Sequence, residues 1–214
     1  MKKTSKQLPV SRAHDTRPSP NFSTPLEMTL KERKIFLGGN TPDGFVGFYD
    51  QVVDMYDLKK LYILKGGSGV GKSTFIRNFI TKVVHHAQQQ SVDGPLTIDW
   101  IYCSQEPTSL DGAIIHELKL GIIDGTRPHM TDPKYPGIVD QIIDLAQFID
   151  NTKLINRKQE LQLLMTKKKS HYNKAYEQLS KARQYHNKIE AIYTPCVDFN
   201  DMNKLLDRLV EEVV

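Results

Sequence analysis

Gly66, Gly71, Lys72 and Ser73 stand at the spacing G-x-x-x-x-G-K-[ST], which is the spacing of a loop that holds phosphate. Glycines let successive backbone N–H groups turn inward toward phosphate oxygens, and a following helix aims the positive end of its dipole at the same point. A lysine adds a point charge at the β/γ-phosphates, and the hydroxyl after it can ligate Mg²⁺. The expected nucleotide contacts are therefore Gly66, Gly67, Ser68, Gly69, Val70, Gly71, Lys72, Ser73 and Thr74, with Ser73 on the metal.

A metal-facing carboxylate is expected downstream. Leu118–Asp124 is an apolar run that ends in an aspartate, so Asp124 is the expected second holder of Mg²⁺, usually through water. Gly125 follows it, where many motor-type ATPases carry a glutamate that activates water. A base must then come from elsewhere. Asp111 and Glu106 lie in a polar loop past a strand, on the edge where open α/β sheets bind ligands. Asp111 either serves there as a base or substrate-binding carboxylate or caps a short helix over Ala113–Glu117. The Pro-rich loop Thr126–Gly137 emerges just past Asp124, and Arg127, His129 and Asp132 are its candidates for facing the phosphates. His129 is read as a sensor of the γ-phosphate and, with Lys72, Asp124 and Asp111, as a catalytic candidate. His85 and His86 are adjacent on a helix, share no face, and make no metal site.

Positioning these groups requires particular elements. Leu61–Leu64 reads as a buried strand, and Phe75, Ile76, Phe79, Ile80, Val83, Val84 and Ala87 recur at helical spacing. Leu96–Cys103 is the next strand, so strand, helix and strand imply a right-handed parallel βαβ unit. Trp100 and Tyr102 are packing residues. Earlier, Lys34–Leu37 forms a short strand and Thr41–Gly44 a turn. Phe45 and Phe48 then pack in the core or, with the turn, lie beside the nucleotide base; core packing is the expectation. Ile138–Ile149 carries the apolar spacing of an amphipathic helix. Nothing breaks a helix between about Lys153 and Tyr193, which predicts one long helix or a hairpin turning near Lys169–His171. Thr194-Pro195 stops it, and Asp198 or Asn200 caps a last amphipathic helix.

Charge divides the chain in the same places. Residues 1–20 carry five basic and one acidic side chain, and residues 153–192 carry ten and three, a net +7. Residues 21–152 carry 12 basic and 16 acidic side chains. The expected organisation is a disordered basic tail over 1–30, an α/β nucleotide-binding core with a parallel sheet flanked by helices over 31–152, and a long basic helical extension with a C-terminal helix over 153–214. Two cysteines, Cys103 and Cys196, make neither a disulfide framework nor zinc spacing. No apolar run approaches the ~20 residues of a membrane span, and the N-terminus lacks a secretory signal. A cytoplasmic protein without a membrane partner is expected.

Several motifs agree in order with one family. Thr41-Pro42-Asp43-Gly44-Phe45, the phosphate loop, Cys103-Ser104 with Pro107 and Ser109-Leu110-Asp111-Gly112, Asp124-Gly125-Thr126 with Pro128-His129, and Asp132-Pro133 with Tyr135-Pro136-Gly137 make residues 34–210 resemble an uncharacterised family of bacterial P-loop NTPases found largely in spore-forming Firmicutes. Its members usually carry two tandem P-loop halves, and this chain resembles the N-terminal half. A second half or a second copy is thus an implied partner. The family usually has a small residue at Arg127 and often Asp at Glu106. No N-K-x-D guanine motif occurs, which favours ATP with Mg²⁺. The leading expectation is an ATPase or ATP-driven switch. Its alternatives are a nucleotide or small-molecule kinase, and a nucleotide-regulated module that binds nucleic acid or protein through the basic helix.

Overall fold

The computed structural model describes residues 29–90 and 94–213. The expected disordered tail lies outside the described residues except for its last two positions. Elements follow as β1 (Leu30–Ile35), β2 (Gly38–Thr41), β3 (Gly44–Gly47), α1 (Val52–Met55), β4 (Lys60–Lys65), α2 (Lys72–Gln89), β5 (Leu96–Tyr102), β6 (Leu110–Ile115), β7 (Leu120–Asp124), β8 (Asp140–Asp144), α3 (Asn151–Ile155), α4 (Lys158–Tyr193) and α5 (Phe199–Glu211).

Six strands form one sheet in the order β1-β5-β6-β7-β4-β8, and β2 and β3 form a separate antiparallel hairpin. Within the large sheet β1 runs parallel to β5, and β4 runs parallel to both β7 and β8, whereas β6 is antiparallel to its two neighbours. The protein is thus mixed α/β with a mostly parallel central sheet. Two apolar layers cover it. On one face α2 brings Ile76, Ile80, Val84 and Ala87 against Leu64, Leu96, Ile98, Leu110, Ala113, Ile115 and Ile122. On the other, Tyr49, Val52, Val53 and Leu58 pack over Leu61, Ile63, Ile101, Ile114 and Ile123.

Three sequence expectations are corrected. Ala113–Glu117 is no helix: β6 runs through Ile115, all six of its residues are buried, and β-branched Ile114 and Ile115 fill opposite layers. Burial on both faces erases the alternation that marks a strand. Ile138–Ile149 is not one helix either, but the edge strand β8 followed by a 3-10 turn over Leu145–Phe148. Buried Asp140 accepts the Lys134 and Tyr135 amides at 2.5 and 2.6 Å, which turns the chain into β8. The parallel βαβ expectation holds in direction: β4 and β5, joined by α2, run the same way in the sheet, with β6 and β7 between them. Phe48 is half exposed rather than core.

The long helix of the extension runs 36 residues from Lys158 with no turn at Lys169–His171, but a turn at residues 156–157 separates it from α3, so it does not begin at Lys153. At 1.5 Å per residue it spans about 54 Å. Its middle touches the body at three points: Tyr172 Oη donates to Gln105 Oε1, Tyr176 Oη to Asn40 Oδ1 at 3.1 Å, and Arg183 makes a fork to Asp43 at 2.8 and 2.9 Å. Asp198 caps α5 by accepting the Asn200 and Asp201 amides. Among the described residues, no helix is long and apolar enough to cross a membrane.

Candidate functional site

The loop between β4 and α2 takes the conformation its glycines permit. Gly69 and Gly71 have φ of 86° and 89°, and Gly71 is the residue from which α2 starts. A side chain at either would meet no neighbour within 4 Å, so the sign of φ rather than crowding calls for glycine. Lys72 folds back over the loop, donating from Nζ to the Gly66 carbonyl at 2.8 Å and the Gly67 carbonyl at 3.0 Å. The same Nζ lies 3.5 Å from Asp124 Oδ2. Ser73 Oγ accepts the Leu110 amide at 2.9 Å, which ties the helix start to the start of β6.

Asp124 ends β7 beside Leu64, the strand partner that leads into the loop. Its Oδ1 is held by the Thr126 amide at 2.9 Å and the Thr126 hydroxyl at 2.6 Å, while Oδ2 faces Lys72. Gly125 leaves no room for the glutamate of motor ATPases. A Cβ there would sit 2.3 Å from Ile63 Cγ2 and 3.0 Å from the Thr131 carbonyl.

Asp111 reaches the site through a fault in strand register. Ile101 pairs with Gly112 and Tyr102 with Leu110, so Asp111 is an extra residue with no partner on β5. Bulges of this kind re-aim side chains. Leu110, Ala113 and Ile115 face α2, whereas Asp111 meets Tyr49 on the opposite layer, accepting its hydroxyl at 3.2 Å. His129 arrives from the loop after β7. Its Nδ1 lies 2.7 Å from the Asp124 carbonyl and its Nε2 3.2 Å from Asp111 Oδ2. Tyr49 stacks on the imidazole at 4.5 Å and Phe45 meets it edge-on at 6.0 Å. Asp111 and His129 are 6% and 7% exposed, so their charges are largely withdrawn from water. Burial by itself pushes the His129 pKa down, but the hydrogen bond and charge of Asp111, with Asp124 behind it, outweigh that and hold it above the ordinary value. Burial first and Asp111 second push the Tyr49 phenol well up, so it stays a donor.

Asp111, Asp124 and His129 offer ligand atoms that all lie within 4.8 Å of one another. Lys72, Ser73, Asp124, Asp111 and His129 therefore come to one edge of the sheet. Other candidates do not join them. Arg127 and Glu106 are exposed, Glu106 accepts the Thr108 hydroxyl, and Asp132 pairs at the surface with Lys65 at 3.2 Å. Sequence reasoning passed over Tyr49 and Lys65. The Lys65 ammonium also donates to the Gly125 and Thr131 carbonyls at 2.9 and 2.6 Å, fixing the loop that carries His129. Its position as the last residue of β4 was the available signal.

A second grouping of the same residue types sits elsewhere on the sheet. Asp99, 1% exposed, accepts a fork from Arg33 at 2.5 and 2.7 Å and lies 2.9 Å from His116 Nε2. Tyr56 lies beside Asp99 and meets the His116 ring edge-on at 5.3 Å. Burial would push the Asp99 pKa up, and Arg33 with His116 outweigh it and hold it below the ordinary value. Burial and then Asp99 push the Tyr56 phenol up to about 12.

Compared with family models, curated proteins and solved structures, the chain finds no match in any of the three.

Proposed function

We propose that the chain binds a nucleoside triphosphate, ATP in preference to GTP, at Gly66–Thr74 and hydrolyses it in a Mg²⁺-dependent reaction, as an ATPase or an ATP-driven switch. One observation carries this reading: an ammonium, Lys72, and a carboxylate, Asp124, 3.5 Å apart at the mouth of a helix entered through left-handed glycines. Loop amides and Lys72 would hold the phosphates, and Ser73 with Asp124 would hold Mg²⁺, which neutralises phosphate charge when bound. Asp111 and His129 supply the remaining charge and proton-handling groups behind Asp124. Membership of the tandem P-loop family, a cytoplasmic setting, and a second P-loop half or second copy as partner belong to the same proposal.

Calorimetric titration with ATP and GTP, joined to a phosphate-release assay, tests it. Lys72→Ala should weaken ATP binding ~100-fold or more, a loss on the scale of a few kcal/mol expected of charge-assisted phosphate contacts, without altering the circular dichroism. ATP binding that survives this change sinks the reading. Phosphate appearing on an added acceptor instead of in water would assign a kinase.

A second reading is favoured by the exposure of Lys167, Lys168, Lys169, Lys174 and Lys181 along α4. They suit a polyanion, whose binding weakens steeply with salt through counterion release. Replacing Lys167, Lys168 and Lys169 by Gln should flatten that slope for DNA. A protein that shows no salt-sensitive DNA or RNA binding removes this reading.

A further inference from the structure

We infer that Asp111, Asp124 and His129 form one site for a divalent transition-metal ion, Mn²⁺ by its ligand set, which fills before any nucleotide arrives. The inference rests on the reading of Asp124 as the cation's carboxylate, and not on nucleotide binding.

Four observations lead there. The three ligand atoms lie within 4.8 Å of one another. Ligands around one ion with bonds of about 2.1 Å lie at most ~4.2 Å apart, so a few tenths of an ångström of closure bring them into contact with it. The imidazole is already turned as a metal ligand must be. A carbonyl can only accept, so the 2.7 Å contact of Nδ1 with the Asp124 carbonyl puts an N–H there and leaves Nε2, 3.2 Å from Asp111, as the nitrogen that a metal ion would take in place of its proton. Metal-binding histidines are commonly held in this way. The carboxylates are steadied too, Asp111 by the Tyr49 hydroxyl and Asp124 by Thr126.

The fourth observation is that these two carboxylates lack the guanidinium fork found elsewhere on the sheet. Asp99, equally buried, is neutralised by the Arg33 fork. Among the described residues no lysine or arginine pairs with Asp111, which has the His129 imidazole at 3.2 Å as its charge partner, and Lys72, 3.5 Å from Asp124, also donates to two loop carbonyls. Buried carboxylates of this kind call for a cation. Imidazole suits transition ions, whereas Mg²⁺ prefers oxygen ligands and usually depends on substrate phosphates. Mn²⁺ accepts both carboxylate and imidazole.

The test titrates the full chain with Mn²⁺ alone, without nucleotide, and follows loss of the free-ion electron paramagnetic resonance signal. One ion per chain should bind, and the bound ion should show nitrogen-14 modulation in spin-echo spectra from a directly ligated imidazole. His129→Ala should abolish that modulation and weaken binding at least ~10-fold, and Asp111→Asn should weaken it while keeping the modulation. Because the nitrogen signature is read on the unmodified protein, a poorly folding variant does not protect the inference. Absence of nucleotide-free binding, bound Mn²⁺ without modulation, or modulation that persists in folded His129→Ala would each overturn it. If ATP binds and Mn²⁺ alone does not, this inference fails and the phosphate-loop reading stands. If Mn²⁺ binds with the nitrogen signature and ATP does not, the reverse holds.

Discussion

Two clusters built from Asp, His and Tyr lie on the same face of the sheet, and their contrast is instructive. In both, a tyrosine from residues 49–56 lies beside a buried aspartate and packs on a histidine ring. Around Asp99 the set is closed by Arg33, whose guanidinium occupies both carboxylate oxygens. Around Asp111, among the described residues, no arginine or lysine arrives, and His129 is its charge partner. The first cluster has settled its charge within the chain, and its polar groups hold β1, β5 and the β6–β7 turn together. The second meets the Asp111 charge with an imidazole instead of a guanidinium. Residue types alone therefore say little about chemistry; what completes the hydrogen bonding of the carboxylate decides it.

The contrast is broken or sharpened most strongly at the two histidines. His129→Ala should lower ATP turnover by ~100-fold or more, the scale on which proton-handling or electrostatic groups act, while His116→Ala should leave turnover within about a factor of two, since that cluster lies apart from the phosphate loop. Equal losses in a phosphate-release assay would erase the distinction.

Next in size is a stability effect at the closed cluster. Asp99→Asn should cost about 2 kcal/mol in urea unfolding, the scale of charged hydrogen bonds lost, and leave ATP binding unchanged. Its sign with pH follows from the lowered pKa. The stabilisation is complete above the ordinary carboxylate pKa of about 3.9 and is lost as pH falls through the lower folded value. Wild type should thus shed stability in acid over that window, and the asparagine variant should shed less.

Smaller still are the hydroxyls. Tyr49→Phe keeps the ring on His129 and removes the bond to Asp111, so turnover should fall only a few-fold, about 1 kcal/mol at the barrier. Tyr56→Phe should leave turnover alone. The smallest effect is expected outside both clusters: Arg183→Ala breaks an exposed pair with Asp43 and should not shift the melting temperature measurably.

How much of this could be seen in the sequence depended on how local the cause was. The left-handed turn into α2 was legible because Gly69 and Gly71 carry their backbone requirement within themselves, and the strand ending at Asp124 because it is an apolar run. Tyr49 was not, since its partners Asp111 and His129 are 62 and 80 positions away and its own neighbours suggest only packing. β6 misled because it is buried on both faces and too short to show a period. The bulge that turns Asp111 arises from a mismatch between two strands, which neither strand encodes alone. Tyr172, Tyr176 and Arg183 looked like parts of a helical stripe, and only the fold brings them to the hairpin and the Gln105 loop.

Gly125 also bears on how this site could change. Many ATPases of the motor type gain speed from a carboxylate directly after the metal-binding aspartate, one codon change away from many glycines. Here that step is closed by the backbone's route, because the first carbon of any side chain would overlap Ile63 and press on the Thr131 carbonyl. To accept a glutamate, the loop carrying His129 would have to move first, and Lys65 pins that loop from below. On the proposed ATPase reading, a faster catalyst would be reached by altering partners of Asp111 or His129, and directed evolution that randomises position 125 alone should return glycine.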